Sequence, residues 1–216
     1  MVTWLILLAA APALALVIWL VMRDWYLEWG ATDLEILAPL GGDTQVRKPN
    51  YESTLAVTIH AEPGAIWPWI VQLGYRRGGL YSYDWLDRLF GYLDGPSAEE
   101  ILPQFQNPHP GDVIPIGRGP AFPVTNVEPF RSLVMSSTAD DYQWAWELEL
   151  HRLGPRRTRL VSRNRVRTPH SAGSWLFMTF FLEPAAFLMT RKMLLGIKRR
   201  AEALERRRLS NTRMAA

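Results

Sequence analysis

Cysteine is absent from the 216 residues, and histidine occurs only four times, at His60, His109, His151 and His170. The first absence excludes disulfides and thiolate metal sites in any compartment. The histidines are scattered rather than grouped at ligand spacing, so no metal site is expected. There is no Gly-x-Ser-x-Gly elbow, no phosphate loop and no dinucleotide fingerprint. Gly117-Arg-Gly-Pro-Ala121 has glycines but no helix behind it, and reads as a turn. No cofactor is implied. Internal repeats and low-complexity segments are also missing, and basic residues are not spread through the chain as nucleic-acid binding would need.

Charge is absent from one long stretch. Val2 to Met22 is twenty-one residues without a charged side chain, interrupted only by Thr3 and Pro12. As a helix, at 1.5 Å per residue, it would span roughly 30 Å, the thickness of a bilayer's hydrocarbon core. Trp4, Trp19, Trp25 and Tyr26 fall near its ends, where amphipathic rings favour the interface. The reading is a retained single-pass anchor over residues 1–29. The small residues of Ala9–Ala15 keep a cleaved signal peptide as the rival, although no Lys or Arg precedes the apolar run. Arg23 on the C-terminal flank places the folded domain on the cytoplasmic side.

The net charge of +3 is uneven. Nine basic and two acidic residues lie between 190 and 216, which leaves the rest of the chain acidic. That basic helix is either a second contact with an anionic leaflet or a solvated face.

Aromatics and glycines concentrate between Trp67 and Gly91. Large flat side chains at glycine bends suit the wall of a pocket for a hydrophobic molecule. Before this block, Gly30 to Asn50 reads as a linker or lead-in, followed by a half-buried strand carrying Leu55, Val57 and Ile59. A helix begins at Glu62-Pro63-Gly64 and ends at Gly74, and a second covers Tyr83 to Phe90 with Ser82 as its cap. Strands are expected at 113–116, 122–128, 132–137, 143–151 and 157–167. The helical region 171–208 is expected to bend at Pro184, and residues 209–216 form a disordered tail. Trp175 to Leu182 is intensely apolar but too short to span a membrane, and reads as a helix lying over a sheet or dipping into the membrane surface.

The residues carry a resemblance. Ile66-Trp-Pro-Trp-Ile-Val-Gln-Leu-Gly74, Gly78-Gly-Leu-Tyr-Ser-Tyr-Asp-Trp-Leu86, Gly111-Asp112, Thr158-Arg-Leu160 with Arg163 and Arg165, and Arg191–Glu202 resemble bacterial SRPBCC proteins of the START-like superfamily. Members are labelled polyketide cyclase/dehydrase-like or lipid-transport-like. The resemblance covers about residues 30 to 205. It implies an α+β helix-grip fold over residues 51–208, in which a curved antiparallel sheet wraps a long C-terminal helix around an apolar cavity. The anchor is not part of the wider family's pattern.

Eight residues are candidates to line such a cavity: Trp69, Tyr81, Tyr83, Trp85, Trp144, Trp146, Arg163 and Arg165. Tyr81 and Tyr83 beside Asp84 could orient a ligand hydroxyl or donate a proton. Arg163 and Arg165 share one face of a strand. Facing a cavity they would hold a carboxylate or phosphate; facing solvent they would pair with Glu147 and Glu149. Gly196 in mid-helix suggests close approach to a ligand or strand. The expected function is a membrane-anchored protein holding a hydrophobic or lipid-like small molecule. An aromatase/cyclase-type enzyme and a regulatory membrane protein with a protein partner are the alternatives.

Overall fold

Alternating apolar and polar residues build a six-stranded antiparallel sheet, and a computed structural model describes it within residues 16–19, 21–117, 121–139, 142–169 and 171–215. The strands are β1 (Tyr51–Ile59), β2 (Val113–Pro115), β3 (Ala121–Glu128), β4 (Ser132–Ala139), β5 (Tyr142–Gly154) and β6 (Arg157–Arg167). Their spatial order is β1-β6-β5-β4-β3-β2, so the first strand returns to pair with the last. Together with the long C-terminal helix this is the α+β helix-grip architecture.

Helix α1 comprises residues 16–19 and 21–27, and α2 is Asp33–Leu37. Then come α3 (Pro63–Val71), α4 (Asp84–Leu89), α5 (Ala172–Phe177) and α6 (Glu183–Ala215). The expected anchor, residues 1–29, lies outside the described residues except for 16–19 and 21–29. α6 continues to Ala215 without a break, seven residues past the point where the sequence suggested a tail.

The core sits between the inner face of the sheet and helices α3 and α6. Leu55, Val57 and Ile59 of β1, Leu148 of β5 and Leu160 of β6 meet Ile66 and Ile70 of α3 and Met193, Leu194 and Ile197 of α6. Pro68 lies inside α3 and removes one helical donor. The Gly64 carbonyl that this frees accepts from Arg208 Nη2 at 3.4 Å, which ties α3 to α6. α6 also grips the edge of β1, where Lys198 Nζ donates to the Thr58 carbonyl and Glu202 accepts from His60 N–H.

At Gly196, α6 lies directly against the Tyr81 backbone. A Cβ there would fall within 2.3 Å of the Tyr81 carbonyl oxygen, so the neighbour is the aromatic loop rather than a ligand or strand. At Pro184, where the sequence suggested a bend, the helical region carries a π-helical turn over Met178–Leu182, immediately before α6. A proline ring crowds the carbonyl four residues back, and a widened turn relieves that clash.

The segment 30–50, expected as a linker or lead-in, carries short elements of its own. Thr32 and Glu35 form a reciprocal capping box that starts α2. A 3-10 turn at Gly41–Thr44 follows, and both pack on the outer face of the sheet.

Candidate functional site

Strand alternation divides the four candidates on β5 and β6 between two faces of the sheet. Trp144 and Trp146 point to the inner face, where Phe122 packs edge-on at 4.8 and 6.4 Å. Their indole N–H groups donate across to β6: Trp144 to Asn164 Oδ1 at 2.9 Å and Trp146 to Ser162 Oγ at 3.0 Å. Both polar tips are therefore satisfied inside the domain. Trp69 is buried and meets Tyr81 edge-on at 6.0 Å.

Tyr81 ties the aromatic loop together. Its φ is +56°, an unusual conformation for a bulky residue. The phenol accepts from Gln72 Nε2 at 2.9 Å, its N–H donates to Ser97 Oγ, and the Arg200 guanidinium lies 4.5 Å over the ring. Burial pushes the phenol above its ordinary pKa, so it stays protonated. Gly78 has no room for a side chain, because a Cβ would sit 2.4 Å from that phenol oxygen. Tyr83 is half-buried under Lys192, and Trp85 on α4 is 63% exposed. These two do not join the buried group.

Ser82, expected to cap α4, instead donates to Asp87 Oδ2 at 2.5 Å, and the N-cap position belongs to Tyr83. Asp87 is wholly buried, and its Oδ1 has no hydrogen-bond partner among the described residues. Burial pushes its carboxyl up to about 6, with the Ser82 hydroxyl partly opposing. Asp84 accepts from the Ser97 N–H and hydroxyl.

Arg163 and Arg165 lie on the other face, so the two arginines and two tryptophans do not share one cavity. Neither do the arginines face solvent. Arg163 is 2% exposed beneath the 30–50 segment. It donates to the carbonyls of Glu35, Ile36 and Ala38 at 2.6–2.8 Å, to Thr54 Oγ1 at 3.0 Å and to Asp43 Oδ2 at 3.0 Å. Arg165 pairs with Asp43 at 3.1 Å and Glu52 at 3.6 Å. Glu147 stands opposite Arg163 in register but accepts from Gly42 N–H at 2.7 Å instead. Its burial raises its pKa. The crevice bordered by Gly42, Glu147, Arg163 and Arg165 has no space for a water molecule.

An open pocket of about 320 Å³ lies elsewhere, and none of the eight candidates lines it. It forms where α1, the ends of β1 and β6, α5 and the π-turn converge. One wall is polar, with Arg23, Asn50, Thr168 and Glu183; another carries Trp175 and Met178. Arg23 forks onto Glu183 with bonds of 2.8 and 2.7 Å, and Tyr26 OH adds a third at 3.1 Å. Asn50 and Thr168 bond to each other through both backbone and side chain. Behind them Tyr26, Leu27, Tyr51, Val166 and Met178 form a small apolar cluster that seats α1 on the sheet.

One sequence signal could have located this pocket. Two apolar runs, 2–22 and 175–182, each end at a single charge of opposite sign, Arg23 and Glu183. Their pairing across 160 residues has no local signature. Among the described residues, no three His, Asp or Glu side chains are grouped to hold a metal ion.

No family model matches the chain, and a search of curated proteins finds no match. Solved structures similar to it include the Zhui aromatase/cyclase from Streptomyces sp. R1128, 17% identical with a TM-score of 0.41. That match covers 70% of this chain and 93% of the other. The solution structure of a Thermobifida fusca protein is 13% identical over 71% of this chain and 95% of that one, with a TM-score of 0.42. CalU16 from Micromonospora echinospora is 15% identical over 71% and 85%, with a TM-score of 0.37. The fold assignment rests on the strand order and helix packing described above.

Proposed function

We propose that this protein is a membrane-anchored binding protein that holds a hydrophobic or amphipathic, lipid-like small molecule where α1 meets the π-turn. The observation that carries this reading is the open pocket of about 320 Å³, lined by both polar and apolar side chains. Pockets that bind such molecules are mostly apolar and use a few polar groups to fix orientation. Here the Arg23–Glu183 pair is internally neutralised, which suits an uncharged polar end such as a hydroxyl or carbonyl, with Trp175 and Met178 beside the apolar part. The π-turn supplies Met178 and Thr179 to the lining, and such turns recur at functional sites.

Anchoring is supported by the charge-free run 2–22, which leads directly into the helix that forms one side of the pocket. The enclosed, protonated Tyr81 supports binding over general-acid catalysis. The test is to purify the chain from native membranes in mild detergent and extract it for mass spectrometry. A stoichiometric amphiphile is expected; protein that carries none, and takes up none from a total lipid extract, would overturn the reading.

A further inference from the structure

The second apolar run leaves most of its large side chains exposed. Ala172 to Leu182 contains no charged residue, and Trp175, Phe177 and Phe181 are 57%, 59% and 69% exposed. The helical region Ala172–Thr212 contains an 18-residue window apolar enough to cross a membrane, of which only 17% is buried. Hydrophobic surface on this scale does not normally face water without a partner.

What lies beside it identifies the partner. Trp19 stacks on Phe180 at 5.6 Å, Arg23 bonds Glu183, and Trp25 and Tyr26 contact Phe187 at 5.6 and 5.7 Å. The numbers rise together, so α1 and the 172–187 arm run side by side in the same direction. α1 has its own outward apolar side, with Val17, Val21 and Trp25 all more than half exposed. The two helices therefore present neighbouring apolar surfaces. The chain that continues from α1 beyond the described residues is the apolar remainder of the 2–22 run.

We infer that Ala172–Leu182 is a second membrane-embedded element, inserted beside α1 into the leaflet nearest the folded domain. This rests on the anchoring part of the function proposed above. The eleven residues are too few to cross the hydrocarbon core, and their N-terminal end stays beside the sheet through the Thr168–Ser174 contact, so the segment lies in the interface of one leaflet without crossing. Its C-terminal limit is Glu183, the first charge after the run, whose carboxylate is held by Arg23 and Tyr26. A carboxylate at this boundary would otherwise resist insertion. Trp175 is the arm's one residue of the type that favours the membrane interface, and Phe177, Phe180 and Phe181 are wholly apolar. The insertion also sets the mouth of the pocket, bounded by Arg23, Trp175 and Glu183, at headgroup level, where an amphiphile could enter sideways from the bilayer.

The absence of native cysteine allows a direct test. Single-cysteine variants Phe181→Cys, Val21→Cys and Arg156→Cys of the full chain are labelled with an environment-sensitive nitrobenzoxadiazole and reconstituted in phosphatidylcholine/phosphatidylglycerol vesicles. Doxyl-labelled lipids then quench whatever lies in the acyl region. Expected are blue-shifted emission and loss of most of the signal at positions 181 and 21, with position 156, on the β5–β6 turn, unquenched. Quenching at 21 but not at 181 would overturn the insertion and leave the anchor standing. Quenching at 181 alone would overturn the anchor and with it the placement beside α1, and quenching at neither would overturn both.

Discussion

Replacing Arg163 with methionine tests whether this residue is a structural hub or a ligand contact. The side chain holds three backbone carbonyls of the 30–50 segment, Thr54 Oγ1 and Asp43, all within 3.0 Å. Methionine has a similar length but no donor, so all five acceptors lose a partner. Leaving one buried acceptor unsatisfied costs about 1–3 kcal/mol, and a simple sum would exceed the stability of most domains. The segment has an escape, however, because it can lift from the sheet and hydrate its carbonyls. That release limits the loss to about 3–5 kcal/mol, the range for breaking a buried charge pair. Lysine should recover only part of it, since a point ammonium cannot reach acceptors spread around a guanidinium fork. Urea unfolding of the detergent-solubilised full chain measures the loss, and hydrogen exchange locates it. The expected result is a matching fall in stability with loss of amide protection confined first to α2 and the 3-10 turn. A loss below about 1 kcal/mol with protection unchanged would refute the reasoning.

Gly196→Ala gains helix propensity of about 1 kcal/mol but drives a methyl into the Tyr81 carbonyl, so a net loss of about 1–3 kcal/mol is expected in thermal melts. Asp87 has a folded pKa raised to about 6 from an ordinary 3.8, so the folded state binds more protons between these values. Its contribution to stability therefore falls as pH rises from about 4 to 6 and stays unfavourable above. Asp87→Asn should remove that slope and stabilise the protein at pH 8 by on the order of 1–2 kcal/mol after solvent screening, as read from melts across pH 4–8. Arg23→Met leaves Glu183, itself 2% exposed, without its cation and should cost about 3–5 kcal/mol. Adding Glu183→Gln should restore most of it, and a double-mutant cycle in detergent gives the coupling.

Much of the fold was legible because it is written in local periodicity. The period-two pattern of Leu55, Val57 and Ile59, and of Trp144, Trp146, Leu148 and Leu150, marks strands and their inner faces directly. Gly74 and Pro63 bracket α3 within a few residues of where the sequence placed its ends. The site was less legible for three physical reasons. Charged strand residues such as Arg159, Arg163 and Arg165 look solvent-facing, but their face is covered by a polar segment whose carbonyls need donors. The Tyr81 loop reads as a pocket wall because aromatics and glycines serve tight loop packing equally well. The pocket draws most of its lining from the stretch 168–183, but Arg23 and Asn50 join it from distant parts of the chain, and no spacing rule links them.

Occupancy of the pocket is the most direct test of the central claim. Ala172 is exposed at its rim, and Ala172→Trp would fill the mouth without disturbing the Arg23–Glu183 pair. Native mass spectrometry of the wild-type chain and of this variant, both released from nanodiscs made with the native lipid extract, measures bound amphiphile per protein. The wild type should carry one retained amphiphile and the variant should lose it while keeping its circular dichroism spectrum. Equal retention in both proteins, or none in either, would contradict binding at this pocket.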